Sequence, residues 1–125
     1  MASVSLSTSK LVQYIVVRRD LLGTAGWSLG ALIAQACHAS TAALYLYHDH
    51  THTQEYYSDL DRMHKVILEV SNESALKELS VKLTANEIEF KLWVEQPENY
   101  PTSLATRPYP QNLIKPMFTA LKLFK

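Results

Sequence analysis

Residues 27–47 read WSLGALIAQACHASTAALYLY and carry no formal charge. At about 3.6 residues per turn the stretch makes nearly six helical turns. Leu29, Leu32, Ile33, Ala36, Ala43, Leu44 and Tyr47 recur at helical spacing and are expected to supply a core face. Ala31, Ala34, Ala39 and Ala42 are small enough to let a sheet approach closely. Gln35 and His38 interrupt the apolar run. Spaced three apart, they share one face, with Ala31 and Ala42 on the same stripe. A buried amide and imidazole need partners, so the stripe Ala31–Gln35–His38 is the first candidate site. Cys37, on the same helix, is expected to behave as a small buried hydrophobe.

The helix also has the length of a membrane span, with Trp27, Tyr45 and Tyr47 near its ends. Gln, His, Ser, Thr and many Ala weigh against that reading. A buried helix of an α/β core is expected instead, with no membrane partner.

Upstream, residues 11–18 (LVQYIVVR) are rich in β-branched and aromatic residues and almost continuously apolar, as in a strand buried on both faces. Gly23 and Gly26 loosen the connection into the long helix, so the chain opens as a strand–helix unit. Downstream, HDHTHTQEYY ends the apolar run, and residues 54–63 suit a short second helix. KVILEV (65–70) is expected to be a second strand. Residues 75–83 place Leu76, Leu79 and Leu83 on one helical face. IEFKLWV (88–94) alternates like a third strand, and TSLATR (102–107) can return antiparallel to it across EQPENYP. A last helix over 111–121 is interrupted by Pro116, and a terminal strand can follow. The expected architecture is α/β: a mixed four- to five-stranded sheet with helices on both faces, in a single compact domain over residues 11–125 behind a flexible tail, 1–10.

The totals agree with one domain: 125 residues, 12 Lys and Arg against 12 Asp and Glu. A neutral chain is not a globally basic nucleic-acid binder, although the segment after Arg107 holds Lys115, Lys122 and Lys125 and no acid. The lone Cys37 cannot form an internal disulfide, which suits a reducing compartment. MASVSLSTSK has no apolar signal core. It is Ser-rich and acid-free like a mitochondrial presequence, but VQYIVV reads as a structural strand that would not be discarded, and a cytoplasmic protein is expected.

Three constellations remain. His48-Asp49-His50-Thr51-His52 has metal-binding side chains, but no partner at recognisable metal spacing, and reads as a polar loop. Gln35 and His38 are either satisfied core residues or a site. Glu95 to Asn99 stands where a strand meets a loop. There a carboxylate can serve as general base and an amide as oxyanion donor, or the segment is an ordinary turn. Trp93 and Tyr100 flank it and can stack on a base, though Trp93 also suits the core. No phosphate loop, nucleophile elbow or dinucleotide fingerprint appears.

VVRRDL, AQACHA, LWVEQPEN and the terminal LKLF resemble the type-2 peptidyl-tRNA hydrolases, over nearly the whole chain. AQACHASTAAL, HDHTHT, LKEL and RPYP are closer still to one subgroup of that family. The resemblance implies a compact α/β sandwich and cleavage of the ester joining a peptide to the 3′ ribose of tRNA. It implies tRNA as partner and no metal or cofactor; a homodimer is left open. Gln35, His38 and Ala39 carry over directly. The family aspartate aligns with Glu95, one methylene longer, and its threonine with Asn99. The family lysine aligns with Ala31, which has no charge. Losing such a donor would cost roughly two to three orders of magnitude in rate. Arg18, Arg19 and Arg107 are the candidates to replace the charge. Two readings follow: an ester hydrolase with a rearranged site built on Glu95, His38, Gln35 and Asn99, or a catalytically silent relative that binds RNA or a protein.

Overall fold

The computed structural model describes residues 9–125, so most of the expected tail lies outside the described residues. Strand β1 (Leu11–Arg18) is buried at every position after the first, as its unbroken apolarity requires. A one-turn helix α1 (Asp20–Gly23) leads to the long helix α2 (Leu29–Leu46), capped by the Ser28 hydroxyl on the Ala31 N–H. Helix α3 (Thr51–Tyr57), strand β2 (Lys65–Val70) and helix α4 (Glu73–Ala85) follow. Strands β3 (Phe90–Glu95) and β4 (Tyr100–Thr106) form a hairpin. The two-residue strand β5 (Tyr109–Pro110), helix α5 (Gln111–Ile114), a 3₁₀ turn at Lys115–Phe118 and strand β6 (Lys122–Leu123) complete the chain.

The sheet order is β3-β4-β1-β2-β6, with β5 pairing the start of β1. β1 and β2 are parallel, Gln13 facing Lys65 and Arg18 facing Val70, and the other pairs are antiparallel. The parallel pair needs a long crossover, and α1 to α3 supply it. Six strands are therefore present where four to five were expected; the short β5 and β6 account for the excess.

Alternation along β1 builds two layers. Val12, Tyr14 and Val16 pack with Leu76, Leu79 and Leu83 of α4 and with Ile114 and Phe118. Ile15 packs with Ala39 and Ala43 of α2, and Val17 with Leu21 and Leu32. Helices thus cover both faces. Among the described residues α2 is the one helix long and apolar enough to cross a membrane, and here it lies along the sheet, burying Leu32, Gln35, Ala39, Ser40 and Ala43.

Several expectations are corrected. Leu29 and Ile33 are 54% and 53% exposed, and Cys37 is exposed too. The alanines, being small, are what the sheet meets, which turns the larger edge of the helix outward. That edge and Ile67 line a groove of about 640 Å³. The second helix begins at Thr51, within the histidine run, because His50 caps it through the His52 N–H. The last helix stops after one turn, and the chain passes Pro116 as a 3₁₀ turn.

Candidate active site

The two candidate stretches meet where β3 turns into β4. Glu95 is the last residue of β3 and pairs with Tyr100, the first of β4. Across the same ladder Trp93 pairs with Ser103 and Val94 with Pro101, which leaves Thr102 unopposed. This bulge lets two successive hydroxyls reach α2. Thr102 Oγ1 donates to Gln35 Oε1 at 2.8 Å, and Ser103 Oγ donates to the Gln35 carbonyl at 3.0 Å. Gln35 is only 4% exposed, yet its amide nitrogen is neither enclosed nor bonded to another described residue. The carbonyl end is anchored and the N–H end is free to donate.

One turn along α2, His38 stacks on Trp93 with ring centroids 4.8 Å apart and planes 21° apart. His38 is exposed, which corrects the expectation of a buried imidazole. The Trp93 indole N–H donates to Glu95 Oε1 at 2.9 Å. Residues i and i+2 of a strand share a face, so this contact follows from the strand itself. With His38 on one side of its ring, Trp93 has lost that face for stacking on a base. Asn99 has φ 58°, the left-handed conformation that turns β3 back into β4.

The remaining named residues divide. Arg18 is buried at 4% exposure and fully engaged. It grips Asp20 through two hydrogen bonds of 3.1 and 2.8 Å, donates to the Pro101 carbonyl at 2.9 Å, and lies over the Tyr100 ring at 4.7 Å. The Asp20 hydrogen bonds push its basicity further up. It supports the β4 end of the site rather than offering a free charge. Ala31 sits in the first turn of α2 and adds no polar side-chain atom. Trp27 lies 6.1 Å from Tyr100, ring to ring. Arg19 is spent on the Lys125 carbonyl at 2.6 Å and on Glu69 at 3.4 Å. Arg107 is at the far end of β4, bonded to Glu89 at 2.7 Å, to the Pro108 carbonyl at 2.7 Å and to His52 Nδ1 at 2.9 Å. Neither Arg19 nor Arg107 joins the cluster.

The histidine run is dispersed in the same way. His48 Nδ1 lies 2.8 Å from the Tyr45 carbonyl, His50 caps α3, and His52 faces Arg107. No group of three metal-ligating side chains gathers among the described residues.

Sequence reasoning missed Thr102, Ser103 and Asp20. Two hydroxyls inside an otherwise apolar strand were the available signal for the first pair. An acid two residues after an arginine at a strand end was the signal for the third.

Chemically the cluster offers a half-buried carboxylate, an exposed imidazole and two amides. Comparison with known proteins gives it a context. The family model described as "Peptidyl-tRNA hydrolase PTH2" matches residues 11–124. Two curated relatives cover the whole chain and 90% of their own length: the "Putative peptidyl-tRNA hydrolase PTRHD1" of Mus musculus, 48% identical, and that of Homo sapiens, 47% identical.

Proposed function

The chain belongs to the type-2 peptidyl-tRNA hydrolase family, and from that premise we propose that it cleaves the ester joining a peptide or N-blocked amino acid to the 3′ end of tRNA. In this reading Glu95 takes a proton from a water, and the water oxygen attacks the ester carbonyl. The Gln35 amide, with Asn99, donates to the oxygen that gains charge. The bond to the ribose oxygen then breaks, that oxygen takes up the proton held by Glu95, and the peptide leaves as a carboxylic acid that releases its own proton to solvent. His38 orients the water or shares the proton. Arg18 holds Tyr100 and Pro101, and so fixes the β4 end of the site.

The observation that carries the reading is an anchored Gln35, its amide N–H unbonded to any described residue, on the helix beside the strand that ends in the Glu95 carboxylate. What limits it is charge. Ala31 offers none, and Arg18, Arg19 and Arg107 all have partners. The expected hydrolase is therefore slow. The same observation favours the second reading, a silent relative that binds RNA or a protein.

Release of tRNA from peptidyl-tRNA and from N-acetyl-aminoacyl-tRNA decides between them, with wild type and Ala31→Lys compared against buffer. The hydrolase reading expects wild type to exceed buffer, and Ala31→Lys to gain about tenfold or more by returning a cation to the site. Wild type and variant both equal to buffer on every acyl group would remove it.

A further inference from the structure

Glu95 is placed by its backbone at a strand end, but a half-exposed glutamate has several rotamers to choose from. One side chain restricts it. We propose that Trp93 is a positioning residue that orients the Glu95 carboxylate and the His38 imidazole toward one another's side of the site; this rests on the ester-hydrolase reading above.

Three features carry the inference. First, indole is a donor only and has a single N–H. At 2.9 Å it occupies Oε1 of Glu95, and that carboxylate makes no other hydrogen bond among the described residues. Oε2 keeps its lone pairs for a water. Second, the same ring stacks on His38, which belongs to α2 rather than to the sheet. One rigid plane therefore touches the two titratable groups of the site across two elements. Third, Trp93 is held from behind. Its side chain packs against the buried cluster of Ile15, Ala39, Ala43 and Ala105, so it does not swing with the groups it orients.

The arrangement suits water activation. A base acts when its lone pair points at the proton to be abstracted, and small misplacements are costly. An indole to one oxygen fixes the carboxylate plane without neutralising it. A lysine there would pair with the carboxylate instead, and a phenylalanine would leave it free to rotate.

Trp93→Phe keeps an aromatic ring beside His38 and deletes the donor, together with part of the indole's bulk against the buried cluster. In single- and multiple-turnover cleavage of peptidyl-tRNA, kcat is expected to fall by about tenfold to a hundredfold with KM within about twofold of wild type. The indole proton of Trp93, assigned in wild-type NMR spectra by triple-resonance methods, should move upfield and exchange faster with solvent in Glu95→Ala. Trp27 serves as the internal control and should not respond. An unchanged kcat in Trp93→Phe overturns the proposal. So does a Trp93 indole proton indifferent to Glu95→Ala, a readout that does not need Trp93→Phe to fold. If wild type cleaves nothing, the hydrolase reading fails and the positioning role with it, while the indole resonance still decides whether the contact exists.

Discussion

Asn99 carries two properties that substitution can separate. Its φ of 58° asks for glycine or asparagine, and its amide is a candidate oxyanion donor. Asn99→Gly should leave the thermal midpoint unchanged, whereas Asn99→Ala should cost about 1 kcal/mol in urea unfolding. If the amide also works on substrate, the glycine variant is stable and slow; equal rates would assign Asn99 to backbone shape alone. Thr102 is the complementary case. Its hydroxyl is buried and anchors Gln35 Oε1. Thr102→Val keeps the shape and orphans that oxygen, at about 1–3 kcal/mol, and frees the amide to turn inward. Chemical denaturation measures the first effect and kcat the second. Gln35 and His38 were legible as an interruption of an apolar helix. Their partners were not, because a bulge in β4 decides which hydroxyls reach the helix, and no local pattern in TSLATR encodes that bulge.

Elements are tied at their ends by ion pairs that the sequence could not place. The Arg18–Asp20 pair, reinforced by Glu73 at 3.6 Å, locks the end of β1 to the start of β4. Asp20→Asn removes the nearer carboxylate and leaves Arg18 with Glu73 as its ion-pair partner, and about 1–3 kcal/mol of stability should be lost, read from the urea midpoint. A second tie joins α3 to the far end of β4. Arginine can only donate, so its 2.9 Å contact requires a neutral His52 with a bare Nδ1. Burial, and then the Arg107 charge, push both His52 and His50 below the usual histidine value of about 6.5. The unfolded chain therefore binds more protons in the window just below that value. The contribution of these two histidines is fully present above about pH 6.5 and is lost as pH falls through their depressed folded values. His52→Asn keeps an acceptor near Nδ1 and removes the titration, so its stability should change less than wild type between pH 7 and pH 5. A parallel loss in both proteins would dismiss the tie. The alternation of strands and helices was readable because period-2 and period-3.6 patterns are local. The exposed edge of α2 was not, because a helix apolar on all sides gives no clue to which side the sheet takes.

For the whole molecule, neutrality sets the terms of any tRNA contact. With 12 basic balanced by 12 acidic residues, and Arg18 and Arg107 buried in internal pairs, the surface has no net basic excess for phosphates. Binding of tRNA should weaken with salt along a log–log slope of about −2 to −3; a slope of −6 or steeper would point to an extended phosphate interface. The fold was legible from β1, α2 and the KVILEV strand, and the family from strings spread along the chain. The catalytic question was not, because it turns on Ala31 and Glu95, where this chain departs from the pattern it otherwise follows. The most direct measurement is single-turnover release of tRNA from peptidyl-tRNA by wild type and Glu95→Gln at equal concentration. The expected result is release by wild type above buffer and a loss of about a hundredfold or more in the amide, which keeps the size and removes the base. Equal rates in the two proteins would contradict the assignment of Glu95 as the base.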